Sequence, residues 1–260
     1  MADEKFSVAL ADELEKVNVG LPDGFNQQRF VQNAVALLNE NDTLAKFAKD
    51  NGTAQIKQQM MQAAYLGLDF MSSEAYLVPY GKKLNFTISY RGKVKLAKKY
   101  SVRPLKDIYA KIVREGDEFV ETIVNGEPSI SFTPKPFNNG KIIGCFAIAL
   151  FEDGGMAYET MSYDEVEKTR SKSRAAKADA WVSFWSEMAK KTVVHRLCKN
   201  IELDLDATQR IIYDEDMAIE TDPHEVAKQD IAENANKEDF TLDESVIDVD
   251  GKVVEEAPFK

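Results

Sequence analysis

The chain has 260 residues, of which 44% are apolar and 30% charged, so it can form a substantial hydrophobic core. It contains no apolar run of about 18 residues, which excludes a predicted transmembrane helix. The formal net charge of −11 argues, taken as an average, against a protein that binds nucleic acid.

The N-terminal sequence and the cysteines predict the cellular compartment. The segment MADEKFSVALADELEK is acidic and lacks the apolar stretch of a secretory signal. Cys145 and Cys198 lie in apolar surroundings, where free cysteines are usually buried and reduced. We therefore expect a cytoplasmic protein with no membrane association.

The net charge hides an uneven distribution along the chain. Residues 201–260 hold 19 acidic and 5 basic residues, whereas residues 1–200 hold 28 basic and 25 acidic residues. Gly81–Lys111 alone has ten bases and one acid, and Lys168–Lys199 has nine bases and two acids. Two solvated charged faces would give the same count. A polyanion responds to the local field, so these two basic windows are also candidate contacts for nucleic acid.

Hydrophobic periodicity predicts an α+β fold, with helices at the N-terminus, a run of strands in the middle and helices again after residue 162. Residues 1–24 are expected to be flexible, and 25–220 to form the core. Within that core we predict N-terminal helices, a β-hairpin with a basic tip at Gly81-Lys82-Lys83, and a short basic helix at Tyr90–Tyr100. The segment 221–260 is acidic and has few aromatic residues, which predicts a disordered tail.

The strand predicted at Arg103–Arg114 places Arg103, Tyr109 and Lys111 on one face. Basic residues that alternate with an aromatic ring suit a surface that follows a single strand, although tyrosines in strands are more often part of the core. A basic loop is predicted next, at Arg170–Asp179.

The helix predicted from Ala180 to about Asn200 changes its apolar face halfway along. In its second half Lys191, His195 and Lys199 form a row four residues apart, with Thr192 and Arg196 beside it. Like charges in such a row repel, and an anionic partner would remove that cost. A merely solvated face remains the alternative.

Two segments carry a resemblance to a known family. AAYLGLDFMSSEAYLVPYGKKLNFTISYRGKVKLAKKY (residues 63–100) resembles the signature segment of RecT-family phage recombinases, and WSEMAKKTVVHRLCKNIELD (residues 185–204) resembles that family's second conserved block. The match looks most similar to recombinases of Gram-positive phages and prophages. Arg91, Lys190, Lys191, Thr192, Arg196 and Lys199 stand at motif positions, as do Gly81 and Gly92. The family's second block often has a base where this chain has His195.

The resemblance implies an ATP-independent protein that binds single-stranded DNA and anneals complementary strands during phage recombination. It implies a homo-oligomer, either a ring or a helical filament, in the cytoplasm of a bacterial host. It further implies a core in which a curved antiparallel sheet packs against helices, and a protein that acts beside a phage exonuclease. The acidic tail is a candidate docking segment for that enzyme, or for the host single-strand-binding protein. An annealed duplex intermediate would then be a second ligand.

Residue pattern and resemblance together predict a set of DNA-binding residues, and no catalytic residue, metal or cofactor. The set comprises Lys82, Lys83, Arg91, Arg103, Tyr109, Lys111, Arg170, Lys172, Arg174, Lys190, Lys191, Thr192, Arg196 and Lys199.

Two alternatives stay open. A passive single-strand-binding protein needs only stacking and phosphate contacts, and the sequence does not distinguish it from an annealing protein. A metal-dependent nuclease could use the carboxylates of Glu202, Asp204, Asp206 and residues 214–216, although no His cluster accompanies them. An ATP-driven recombinase is excluded because the chain has no phosphate-binding G-x-x-x-x-G-K-[ST] loop.

Overall fold

The first quarter of the chain folds into four helices, because its apolar residues recur at helical spacing. The computed structural model describes residues 2–173, 176–177 and 179–221. The helices are α1 (Ala2–Lys16), α2 (Gln27–Glu40), α3 (Asp42–Asn51) and α4 (Ala54–Leu66), with a 3-10 turn at Asn18–Gly20. The helical region expected near the N-terminus is therefore present.

Helix α1 corrects the expectation that residues 1–24 are flexible. Phe6, Leu10 and Leu14 lie four residues apart on one side of α1, and each is at most 4% exposed. The helix packs against α2 and α4, and Glu13 forms a 2.5 Å salt bridge with Lys57 of α4. The acidic composition of this segment gave no sign of the stripe, because composition does not register the spacing of apolar residues.

The strands are antiparallel and pack with helices, as the α+β prediction requires, but they form three sheets in the described part of the chain rather than one. Strands β1 (Ala75–Tyr80) and β2 (Lys83–Ile88) form the basic hairpin. A second sheet has the order β3–β6–β7, and β4 pairs with β5 in a separate hairpin. The bounds of these strands are β3 (Leu105–Arg114), β4 (Glu118–Val124), β5 (Glu127–Thr133), β6 (Ile142–Phe151) and β7 (Met156–Ser162).

Side chains occupy the outer edge of β2, which explains why the first hairpin does not continue into a larger sheet. The Leu84 N–H donates to Gln55 Oε1 at 3.1 Å, and the Phe86 N–H donates to Gln59 Oε1 at 2.8 Å. The Ile88 N–H donates to Asp216 Oδ1 at 2.8 Å. These three donors would otherwise be available to another strand.

The remaining helices are α5 (Tyr90–Tyr100), α6 (Tyr163–Ser171), α7 (Asp179–Ser183), α8 (Trp185–Cys198) and α9 (Ala207–Thr221). The expected capping box opens α6, because Ser162 and Glu165 bond reciprocally. In the part of the chain that the structure describes, no helix has the length and apolarity of a membrane span.

The helix predicted at Ala180–Asn200 is in fact two helices separated by Phe184. A continuous helix would place Trp181 and Trp185 on one face, but the two rings have different partners. The Arg170 guanidinium lies 5.8 Å from the Trp181 ring centroid, whereas Trp185 stacks on Tyr163 at 4.8 Å. The helix is therefore interrupted between the two tryptophans.

The central sheet separates two apolar layers. Cys145 and Ala147 lie in the main core, and the Cys145 thiol lies 3.7 Å from the Ala189 carbonyl oxygen of α8. On the opposite face, Val113, Phe146 and Ile148 form a second cluster with rings from the β4–β5 hairpin. Helix α8 therefore covers only one face of the sheet.

Candidate nucleic-acid interface

Each of the two basic windows contains one helix, α5 in the first and α8 in the second, and these two helices contact each other. Ser89 caps α5, because its hydroxyl accepts a hydrogen bond from the Gly92 N–H at 3.1 Å. A Cβ atom at position 92 would lie 2.1 Å from the Glu74 carbonyl oxygen. The glycine of the Tyr90-Arg91-Gly92 motif thus permits close packing of α5 on the loop before β1.

A buried lysine joins these helices. Lys93 of α5 is 0% exposed, and its ammonium group lies 3.0 Å from Asp216 Oδ2 of α9 and 2.8 Å from His195 Nδ1 of α8. Because an ammonium group only donates, Nδ1 accepts and the His195 ring is neutral in this arrangement. The imidazole that stands in place of the family's usual base is therefore part of a buried polar cluster.

The exposed side of α5 is basic along its length. Arg91, Lys95 and Lys98 lie on that side, four and three residues apart. Lys95 pairs with Glu74 at 2.7 Å and Lys98 with Asp107 at 2.9 Å. Arg91 is exposed, and the Tyr90 hydroxyl that accepts its hydrogen bond raises the pKa of the guanidinium. Among the described residues, Arg91 has no carboxylate partner.

Helix α8 presents the predicted row beside its buried face. Lys191 and Lys199 are exposed and His195 is half-buried between them. Within the described ranges no carboxylate pairs with Lys191. The Thr192 hydroxyl donates to the Met188 carbonyl oxygen at 2.8 Å, so its hydrogen is already used within the helix. Lys190 pairs with Glu187 at 2.5 Å.

Three arginines of the predicted set form ion pairs inside the protein. Arg103 binds both carboxylate oxygens of Asp153, at 2.5 and 2.7 Å, and lies over the Phe151 ring. This hydrogen bonding raises the pKa of Arg103. Arg170 pairs with Glu167 at 3.4 Å, and Arg196 with Glu159 at 2.8 Å. Each contact gives the arginine a structural role that the sequence pattern did not indicate.

Tyr109 and Lys111 lie away from α8. They pair with Ile148 and Phe146, so they share the sheet face that carries the second apolar cluster. There they line a cleft together with Ile130 and Phe132 of the β4–β5 hairpin. The structure thus separates these two residues from the α8 row by the thickness of the sheet.

The other predicted residues lie at turns. Lys82 and Lys83 are exposed at the tip of the first hairpin, where the Lys82 carbonyl oxygen accepts from Gln55. Lys172 is exposed after α6. Arg174 and residues 222–260, which include most of the acidic tail, lie outside the described residues.

Two cysteines and two of the candidate metal-binding carboxylates have structural surroundings. Burial raises the pKa of the Cys145 and Cys198 thiols to about 12, so neither is a nucleophile near neutral pH. Asp206 accepts the Gln209 N–H at 2.9 Å, capping α9, and Asp216 binds Lys93. Among the described residues, no group of three or more His, Cys, Asp or Glu side chains is placed to hold a metal ion.

Sequence reasoning missed two residues. Lys93 was counted only as one of the ten bases of Gly81–Lys111, since only its partners in the fold reveal its burial. Phe184 falls within the continuous helix predicted from Ala180, whereas its ring is 60% exposed at the break between α7 and α8. A more informative signal was the lysine's place between Gly92 and Leu96, on the apolar side of α5.

Similarity to known proteins is a second line of evidence, independent of the geometry. The sequence profile of the RecT family matches residues 28–230. The chain belongs to the RecT family. Protein RecT of Escherichia coli (strain K12) is 29% identical over 219 residues, which cover 80% of this chain and 79% of that protein. Both motif segments lie inside the matched range. As a RecT-family member, the chain is a single-strand annealing protein of homologous recombination that binds single-stranded DNA.

Three alanine substitutions test which arginines and lysines reach DNA. Replacement of Arg91 or Lys191 should weaken single-stranded DNA binding by about tenfold, the cost of one charge-assisted hydrogen bond, and reduce the slope of log affinity against log salt by about 0.7. Arg103→Ala removes the same charge from a pair with Asp153, so we expect less than a twofold change.

Fluorescence anisotropy at several salt concentrations measures both quantities, and urea unfolding checks that each variant is folded. An Arg103→Ala variant as defective as Arg91→Ala would show that the Asp153 pair opens to bind DNA.

Proposed function

We propose that single-stranded DNA lies along the exposed sides of α5 and α8, which we call the basic helix pair. Its exposed cations that have no carboxylate partner among the described residues include Arg91 and Lys191. Lys199 and the hairpin-tip residues Lys82 and Lys83 would be further contacts. The observation that supports this most is the 2.8 Å link between Lys93 and His195, because it fixes the two helices against each other.

Phosphate contacts of this kind make binding independent of sequence and sensitive to salt. If one subunit engages about four phosphates, log affinity should fall against log salt with a slope near −3. Tyr109 and Lys111 are not needed for such a contact, since they occupy the other sheet face.

Annealing follows if several subunits hold one strand extended with its bases accessible. We propose a ring or helical filament of identical subunits, in which a complementary strand tests pairing against a preorganised partner. Electrostatic attraction also speeds the encounter of the second strand with the occupied surface. No nucleotide hydrolysis and no catalytic step enters this scheme, and the annealed duplex is its product.

We also propose the finer origin that the motifs suggest, a Gram-positive phage or prophage, with action in the bacterial cytoplasm. The support is the likeness of residues 63–100 and 185–204 to recombinases of that type.

An annealing assay tests the proposed function against passive strand binding. Two complementary oligonucleotides, labelled with a donor and an acceptor, are mixed with and without protein at matched salt and without ATP. We expect at least tenfold faster energy transfer with protein, and tighter binding to strands added in sequence than to preformed duplex. A rate equal to spontaneous pairing, with single-strand binding intact, would leave only a strand-coating protein.

We propose that the acidic segment 221–260 docks the phage exonuclease or the host single-strand-binding protein. Like charge repels DNA over about 8 Å at physiological salt, so an acidic segment is better suited to a protein partner than to the strand. Removal of residues 223–260 should leave annealing intact or raise DNA affinity slightly, as anisotropy and the transfer assay would record. Loss of all DNA binding on truncation would contradict a docking role.

A further inference from the structure

The ring of Phe184 projects into solvent from a rigid base. Its exposed fraction is 60%, whereas Trp181, three residues earlier, is 4% exposed. Trp185, the next residue, stacks on Tyr163 at 4.8 Å, and its indole N–H donates to Glu167 at 2.5 Å. The two tryptophans that flank Phe184 are therefore packed within the protein, whereas the Phe184 ring is exposed to solvent.

The backbone at Phe184 is held as firmly as its neighbours. The Phe184 N–H donates to the Ala180 carbonyl oxygen at 3.2 Å. Its own carbonyl oxygen accepts from the N–H groups of Glu187 and Met188, at 3.0 and 3.1 Å. The backbone that carries the ring is therefore held in place at the corner between α7 and α8. A ligand that contacts the ring would have to order only the Phe184 side chain, which keeps the entropic cost of binding low.

The segment that precedes this corner in the sequence is basic, and its helix α6 contacts Trp185 through Tyr163 and Glu167. Lys168 of α6, Lys172 and Lys177 are all exposed, and none has a carboxylate partner within the described ranges. The acids nearby are engaged, because Glu167 binds Trp185 and Arg170 while Glu187 binds Lys190. Exposed lysines weigh against an apolar protein partner and favour an anion.

An exposed aromatic ring among unpaired cations is the combination that binds single-stranded nucleic acid, in which cations hold phosphates and the ring stacks on a base. We propose that Phe184 stacks on a base of the bound strand and sets the position of that base during annealing. This inference rests on the proposed function and extends the strand's path from α8 to the α6–α7 corner. A purely phosphate-binding surface would not need an exposed ring.

The test separates base contacts from phosphate contacts. Phe184→Ala, Phe184→Leu and Phe184→Trp are compared with the unchanged chain on two ligands of equal length and charge, oligothymidine and an abasic oligonucleotide. Stacking on one base is worth about tenfold or more in affinity, so Phe184→Ala should lose about that on oligothymidine and less than twofold on the abasic strand. Phe184→Trp keeps an aromatic face and should stay within about twofold.

Phe137→Ala is the matched control, because Phe137 is 99% exposed and lies in the β5–β6 connection. It should change neither affinity. Phe184→Leu keeps apolar volume without a ring and should resemble Phe184→Ala, which separates stacking from general apolar contact. Urea unfolding of each variant verifies that the corner remains folded.

Two results would overturn the proposal. Equal losses on both ligands would mean that Phe184 supports phosphate contacts through the fold, and no loss on either would mean that the ring lies off the strand. If the unchanged chain binds and anneals normally in either case, only the role of Phe184 fails. If the unchanged chain binds neither ligand, the proposed function itself fails.

Discussion

The packing of helices α5, α8 and α9 depends on Lys93, a charged residue that is buried inside the protein. Taking an ammonium group out of water costs several kcal/mol even after relaxation, so the group is tolerated only where its partners are held in place. The partners of Lys93 include Asp216 at 3.0 Å and His195 at 2.8 Å. The lysine and these two partners belong to three different helices, and Asp216 also accepts the Ile88 N–H at the end of the first hairpin.

This cluster connects the basic surface to the rest of the fold. Helix α8 packs its apolar side on the sheet through residues such as Ala189 and Val193, and meets α5 at His195. Helix α9 is fixed a second time by Gln209, whose amide donates to the Tyr65 carbonyl oxygen at 2.9 Å. The exposed charges of α5 and α8 therefore keep a constant spacing, which a strand with regularly spaced phosphates requires.

Sequence patterns predicted the structural elements that depend on interactions between residues close together in the sequence. The basic hairpin and the alternation of Tyr109 and Lys111 with buried residues both follow from neighbours in the sequence. The RecT motifs also had the right order and spacing. Helix α1 was missed because the segment was judged by its acidic composition, which does not register periodicity.

Features that depend on distant partners could not be predicted in this way. Lys93 and Lys95 look alike in the sequence, yet one is buried and the other pairs with Glu74 at the surface. The sequence placed Arg103 among the candidate DNA-binding residues, but in the structure Arg103 forms an ion pair with Asp153. The division of the strands into three sheets has the same origin, since Gln55, Gln59 and Asp216 reach the edge of β2 from other parts of the chain.

The central claim, that the buried Lys93–Asp216 pair holds the helices together, is tested most directly by a double-mutant cycle in urea unfolding. Lys93→Met should lower the free energy of unfolding by about 3–5 kcal/mol, because it leaves the Asp216 carboxylate buried without its counter-charge. Lys93→Met combined with Asp216→Leu should cost clearly less than the two single losses added together, with a coupling of at least about 2 kcal/mol. Additive losses, or a Lys93→Met cost below about 1 kcal/mol, would contradict this account of the fold.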